Sequence, residues 1–361
     1  MPDAQQEHSF TAKTLVIVPW LEGGGAQGAL EGILRQLTPT KTTLLILFRG
    51  NRNHDSAKRL AGRTIELDLP RSPIGVLEAA LRLLPHIRKA ETVYSLMRGS
   101  HLVLGMLPVR LLKRKKLAAT FHQLPSQDAK GAIGQLEDVL VRRGIRHAGL
   151  ITAPSTRAVE ELIDGNYGPA QAIKVEHNII KLPDAPPVRP RAGILAEVRL
   201  VFAGRLSRQK GLDRLPELLA NVKIPVHVRY LGDGEERESI ADLPNRLNAM
   251  HTLELFPHVE DVGAHLDWAD ALFMPSRWEL NPLIVWEARA RGRATIGSRI
   301  AAFQDLSSSG PLWLFDDADE FKGILSTLAA QPDVRVIAFH QALESSQNLS
   351  TRSAIVDYLG N

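Results

Sequence analysis

Short apolar runs alternate along the chain with helix-length stretches whose apolar positions recur every three to four residues. TLVIVP (14–19), TLLILF (43–48), TIELDL (64–69), TVYSL (92–96), LAATFH (117–122), GLITAPS (149–155) and AIKVEH (172–177) each have the length and make-up of a strand. Several are apolar without a break, which predicts parallel strands covered on both faces. The proline-rich stretch KLPDAPPVRPRAG (181–193) can continue neither a helix nor a central strand, so it predicts a boundary. Beyond it the alternation restarts with RLVFAG (199–204), VHVRYLG (226–232), TLELFPH (252–258), ALFMPS (271–276) and ATIGS (294–298), and from about 317 only helical patterns remain. The fold class expected is α/β, with two Rossmann-like doubly wound domains facing each other across a cleft. The N-terminal domain would span 1–182, the linker 183–196, and the C-terminal domain 197–361 with its closing helices.

Composition narrows the function more than the fold. The chain has 361 residues, 44% hydrophobic and 23% charged, as in a globular protein with two ordinary cores. It has no cysteine, so disulfides and thiolate metal sites are excluded. The start, MPDAQQEHSFTAK, has no apolar signal region and no span of roughly 18 apolar residues occurs, which leads us to expect a cytoplasmic protein. Basic residues gather in VRLLKRKK (109–116). That stretch can hold a protein peripherally at an anionic inner membrane face, or it can be an ordinary helix end whose cations offset the dipole. Nucleic acid is not an expected partner, because aromatic residues make up 5% of the chain and none is interleaved with the basic cluster.

Candidate chemistry concentrates at strand ends. In SRWELNPLIVWEARARG (276–292) two carboxylates, Glu279 and Glu287, bracket an apolar run. Asn281 as N-cap and Pro282 at the first helical position predict a helix that exposes the N–H groups of Leu283 and Ile284 to an anion. Glu287 suits hydroxyls and would repel a bare phosphate, so the pair fits a ligand carrying both, such as a sugar nucleotide; two solvated acids are the plainer alternative. VFAGRLSRQKG (201–211) delivers Arg205 and Lys210 into a loop where two cations can grip a diphosphate. LGDGEERE (231–238) reads as a turn followed by capping acids. PWLEGGGAQGAL (19–30) contains a literal G-x-G-x-x-G at Gly23, Gly25 and Gly28, and the second strand ends with Arg49 and Arg52 nearby, so an NADP-dependent oxidoreductase is an alternative. His122 stands at a strand end on the expected cleft side, where it is either structural or functional. Asp317 and Asp319 match D-x-D but lie in DDADE before a helix, as capping acids do.

In combination these stretches resemble the retaining glycosyltransferases of family 4, which have the GT-B fold. GRLSRQKG is similar to that family's G-R-L-x-x-x-K-G segment and SRWELNPLIVWEARARG to its E-x7-E motif, while LGDG and GGAQ fall in the matching order. The resemblance implies that Arg205 and Lys210 neutralise a departing nucleoside diphosphate, that Glu287 holds ribose hydroxyls and that Glu279 touches the transferred sugar. It further implies that the backbone at Leu283 and Ile284 meets phosphate or sugar, that Gly24 and Gly25 let the N-terminal loop approach the same groups, and that His122 lies near the reacting sugar. The implied partners are a nucleotide-diphosphate sugar and a glycan or lipid-linked acceptor used in cell-surface glycan or glycolipid synthesis; no metal or other cofactor is expected. The chain departs from the family at Leu280-Asn281-Pro282, where E-x-F-G is usual, and at Ala301-Ala302, where glycines are common. A non-catalytic GT-B partner protein is the remaining alternative.

Overall fold

The computed structural model describes residues 14–21, 25–50, 55–128, 131–177, 183, 185–259, 261–347 and 352–360. They form two units: residues up to 177 together with 352–360, and residues 183–347.

The first unit contains a seven-stranded sheet of β1 (Thr14–Val18), β2 (Thr42–Phe48), β3 (Arg63–Leu69), β4 (Thr92–Leu96), β5 (Lys116–Thr120), β6 (Leu150–Ala153) and β7 (Ile173–Val175). The order is β3-β2-β1-β4-β5-β6-β7, and every pairing is parallel. β1, β2 and β4 are buried along their whole length, the burial that unbroken apolar runs predict; β3, at the edge, is mostly exposed or half-buried. All seven expected strands are present.

The second unit carries a parallel six-stranded sheet of β8 (Val198–Ala203), β9 (Val226–Leu231), β10 (Thr252–Phe256), β11 (Ala271–Met274), β12 (Ala294–Ser298) and β13 (Leu312–Phe315), in the order β10-β9-β8-β11-β12-β13. β13 lies outside the expected set. Its four residues are too few to show a period, and they sit between Pro311 and a strong helix start.

Two boundaries differ from the sequence reading. The closing helix, Ala354–Gly360, places Ile355, Val356 and Leu359 in the core of the first unit, against Val16, Tyr94 and Ala118, and so does not belong with residues 197–347. Ser353 anchors its start: its N–H donates to Gln36 Oε1 at 3.1 Å and its Oγ to Glu176 Oε1 at 2.6 Å. An amphipathic pattern shows which face is buried but not against which partner, which is why sequence assigned this helix to its neighbour. The stretch before β8 is likewise no free linker. Residues 188–195 lie on the second unit, where Val188 O accepts from Arg293 Nη1 at 2.9 Å, Arg191 O from Arg335 Nη2 at 3.1 Å, and Ala329 O from Leu195 N at 2.9 Å.

The basic stretch 109–116 does local structural work. Leu112 is buried, Lys115 Nζ donates to Arg88 O at 3.0 Å and to Ala90 O at 2.5 Å, and the Lys116 ammonium stands 5.0 Å from the centre of the Tyr358 ring. Among the described residues no helix is long and apolar enough to cross a membrane.

Candidate functional site

In the second unit three loops leave the C-terminal ends of β8, β9 and β11 and are stitched together through their backbones. Leu206 N donates to Asp233 O at 3.0 Å, Glu236 N to Leu206 O at 3.0 Å and Arg277 N to Gln209 O at 2.8 Å. Glycine permits this closeness. A Cβ on Gly232, whose φ is 144°, would lie 2.0 Å from Gly204 O, and one on Gly211, at φ 64°, would lie 2.2 Å from Pro275 O. Arg214 braces the same edge, its Nη1 donating to Pro275 O at 3.2 Å and to Ser298 Oγ at 2.9 Å. A further clamp is the Arg277 fork, whose two terminal nitrogens each lie 2.8 Å from an oxygen of Asp213 and hold the Asp213 carboxyl below the usual carboxylate range.

On this platform Lys210 and Glu279, 69 residues apart, form an ion pair of 2.5 Å, with 15% and 5% of their side chains exposed. Glu279 also accepts from Ser276 Oγ at 2.8 Å and Gln209 Nε2 at 3.5 Å, and Gln209 donates to Trp278 O at 2.9 Å. Arg205 is not part of this cluster. It reaches Glu235 on the loop after β9 at 3.1 Å, in an exposed pair.

The helix behind Glu279 runs Leu283–Ala290 and so starts one residue later than the N-cap pattern predicts, with Pro282 at the cap position. The Asn281 side chain is drawn elsewhere: its Oδ1 accepts from the Trp286 indole Nε1–H at 2.6 Å, in a buried bond. A buried indole N–H needs an acceptor, and Asn281 supplies it in place of a cap. Among the described residues the N–H groups of Leu283 and Ile284 have no acceptor, which leaves the positive end of the helix open to an anion. The apolar character on every side is explained by burial of Ile284, Val285, Trp286, Ala288 and Ala290, together with Arg289, whose guanidinium lies 4.6 Å from the Trp286 ring and is pushed down to about 10 by burial. Glu287 is half-buried and, among the described residues, makes no hydrogen bond or ion pair. Burial first, then the charge of Asp261, raises its carboxyl above the ordinary value.

His122 and Gly25 belong to the first unit. Gly25 opens the helix Gly25–Leu34, with Gly28 inside its first turn; Gly23, Gly24 and Arg52 lie outside the described residues. Arg49 donates to Asp68 O at 3.0 Å and to its Oδ2 at 3.1 Å. His122 follows β5 and lines a small cavity with Thr120, Thr152, Glu176 and Ser353. Its Nε2 is buried without a partner among the described residues, and burial lowers the imidazole to about 4, so it is neutral at physiological pH. Asp317 caps the helix Ala318–Ala330, accepting from Asp319 N at 3.0 Å and Glu320 N at 2.9 Å, as its DDADE context predicts.

Sequence reasoning missed Ser276, Gln209 and the Asp213–Arg277 clamp. Ser276 and Gln209 sit inside motifs already singled out, but only the fold shows that both point at Glu279.

Residues 197–331 match the family model described as "Glycosyl transferases group 1". The curated relatives include an uncharacterised glycosyltransferase of Haemophilus influenzae, 27% identical over 121 residues (32% of this chain and 34% of that protein). Another is the lipopolysaccharide core biosynthesis glycosyltransferase LpsE of Rhizobium meliloti, 25% identical over 166 residues (43% and 46%). The matches therefore span less than half of those relatives' length. Among solved structures, Anabaena HepE in complex with UDP and glucose superposes with a TM-score of 0.75 over 97% of both chains at 16% identity. The apo lipopolysaccharide outer core galactosyltransferase WaaB gives 0.67 over 93% of this chain and 98% of its own, also at 16% identity. The fold is thus that of GT-B glycosyltransferases.

Proposed function

We propose that this chain is a retaining glycosyltransferase that moves a sugar from a nucleotide-diphosphate sugar to an acceptor hydroxyl in cell-surface polysaccharide or lipopolysaccharide synthesis. The observation that carries this reading is the Lys210–Glu279 contact. It joins the two segments that resemble family motifs at one strand-end edge, next to a helix N-terminus with free N–H groups. Within the matched segment 197–331 it brings a cation for a diphosphate and a largely buried carboxylate for a sugar into direct contact.

In the reaction the bond from the anomeric carbon to the diphosphate oxygen breaks, a bond from the acceptor oxygen forms on the same face, and the hydroxyl proton is released. Lys210 offsets charge building on the leaving diphosphate, with Arg205 joining it once released from its exposed pair with Glu235. The N–H groups of Leu283 and Ile284 meet the phosphates or the sugar, and the family resemblance implies the same role for Gly24 and Gly25. Glu279, held by Ser276 and Gln209, faces the ring as it gains positive charge, and unpartnered Glu287 accepts from ribose hydroxyls. His122, neutral, offers the sugar a hydrogen bond rather than a charge. Two side-chain cations make a metal unnecessary, and Asp317 is committed to its cap. The protein would act in the cytoplasm, where activated sugars are made, with its acceptor a glycan or lipid-linked glycan. Peripheral contact of 109–116 with the membrane is the weaker part, because Leu112, Lys115 and Lys116 have structural partners.

A thermal-shift screen with UDP, UDP-sugars, other sugar nucleotides and NADPH tests the reading, because a ligand that binds only the folded state raises the melting point. Stabilisation by a nucleotide sugar, lost in Lys210→Ala, is expected. A shift with NADPH alone would favour the oxidoreductase alternative, and a shift without turnover would favour a non-catalytic partner.

A further inference from the structure

A second cavity lies at the opposite edge of the second unit's sheet. It measures about 120 Å³ and is lined by Arg189, Arg191, Asp270, Arg293 and Arg335, with Trp268 and Trp313 among its walls. By the same measure a single water takes roughly 10–15 Å³, so there is room for an oxyanion and its waters. Arg199 lies at the start of β8, Asp270 just before β11 and Ala294 at the start of β12, whereas Lys210 and Glu279 follow strand C-terminal ends. The intervening strands set the two sites about 13–20 Å apart.

The charges around this cavity do not balance. Arg191 is matched by Asp270 (Nε–Oδ1 3.0 Å), Arg199 by Glu197 (2.9 Å), and Asp267 by Arg291 (2.6 Å). Among the described residues three guanidiniums are then left without a hydrogen-bonded carboxylate. Arg293, 3% exposed, donates only to backbone carbonyls, among them Leu266 O, Val188 O and Asp267 O, each at 2.9 Å. Arg335, 4% exposed, also donates only to carbonyls, and its Nε is buried with no partner among the described residues. Arg189 is exposed and makes no hydrogen bond or ion pair among the described residues. Carbonyl dipoles solvate a guanidinium but do not neutralise it, and buried charge left uncompensated is costly.

We propose that this cavity binds a small, multiply charged oxyanion of the phosphate class, at a site separate from the strand-end edge that carries Lys210 and Glu279. The buried Arg335 Nε–H is the donor that the carbonyls leave over, the Arg293 and Arg335 guanidiniums supply the charge that favours a multiply charged oxyanion over chloride, and Arg189 closes over it from the rim. Because the same two arginines hold the carbonyls of Val188 and Arg191, a bound anion also stiffens the stretch leading into β8.

The test uses the full chain at constant ionic strength, with inorganic phosphate, diphosphate and UMP as probes, followed by calorimetry and by tryptophan fluorescence, which Trp268 and Trp313 make responsive. Wild type and Lys210→Ala should both bind phosphate saturably. Arg189→Glu should lose affinity about tenfold or more, as expected when a charge is reversed beside a bound ion, yet keep its anion-free melting temperature. Arg335→Lys retains the charge without the Nε–H donor and should also bind more weakly, with the anion-free melting point reporting its folding. A stronger Arg189-dependent signal from UMP than from phosphate would make a nucleotide phosphate the source; equal signals would make it free phosphate. The proposal is overturned if phosphate binding disappears in Lys210→Ala and is untouched in Arg189→Glu. It is equally overturned if no saturable binding exceeds that of chloride, in which case the arginines serve only as staples for backbone carbonyls.

Discussion

Replacing Lys210 with methionine should separate what the Lys210–Glu279 pair does for stability from what it does for chemistry. In the variant the carboxylate, 5% exposed, keeps Ser276 Oγ at 2.8 Å and a weak contact with Gln209 at 3.5 Å. Removing one member of a buried pair costs about 3–5 kcal/mol, because the survivor stays desolvated without its partner. Lys210 is 15% exposed and Ser276 remains, so the lower end applies, about 3 kcal/mol. Glu279→Gln strands an ammonium that can reach water on its flexible stem, and should cost about 1–2 kcal/mol. The double variant contains no stranded charge and should cost no more than the milder single change, which makes the coupling about 3 kcal/mol. For a unit of this size 1 kcal/mol corresponds to about 2–4 °C, so Lys210→Met should melt about 6–12 °C lower and the double variant should recover at least about a third of that. Urea unfolding of all four proteins measures the cycle. Turnover should not follow: Lys210→Met should lose about a hundredfold in rate, and the double variant should regain none of it. Additive losses within about 0.5 kcal/mol, or recovery of turnover with stability, would refute the argument.

The two glutamates should fail differently in steady-state kinetics with the donor varied: Glu287→Gln chiefly raises KM, since ribose hydroxyls are held in ground and transition state alike, whereas Glu279→Gln chiefly lowers kcat. Glu287 also predicts a pH dependence of stability. Its folded pKa is raised, so its contribution is intact below the unfolded value and is lost as pH climbs through the folded one; Glu287→Gln should therefore gain in melting temperature relative to wild type between pH 4 and 8. His122, lowered to about 4, is neutral above about pH 5, so His122→Gln should slow turnover without altering the pH–rate profile there. Asp317→Ala should cost about 1 kcal/mol in urea unfolding and leave activity and EDTA insensitivity unchanged, as a cap and not a metal ligand would.

Much of this was legible because strand and loop chemistry is local. Twelve strands announce themselves as short apolar runs, and the strand-end position of Lys210 follows from VFAGRLSRQKG alone. What sequence hid was partner choice. Arg205 and Lys210 are equally basic and five positions apart, yet one turns to Glu235 in water and the other to buried Glu279. Asn281 looked like a cap because caps are what asparagines before prolines commonly do; the competing demand of a buried Trp286 indole decided otherwise. The cationic cavity was invisible for the same reason, since Arg189, Arg191, Arg293 and Arg335 are scattered over nearly 150 positions and meet only in the fold.

The return of the closing helix to the first unit sets the order in which this protein can be completed as it is made. Seven strands of the first unit are synthesised early, but the groove formed with Val16, Tyr94 and Ala118 stays unfilled until Ile355, Val356 and Leu359 emerge. The whole second unit is made in between, which at about 5–20 residues per second is a wait on the order of ten seconds or more. The second unit, contiguous over 183–347, can close as soon as it is finished, so the half synthesised last is complete first. During the wait the early half depends on keeping an apolar groove from other chains, and a chain stopped short of residue 352 would never fill it.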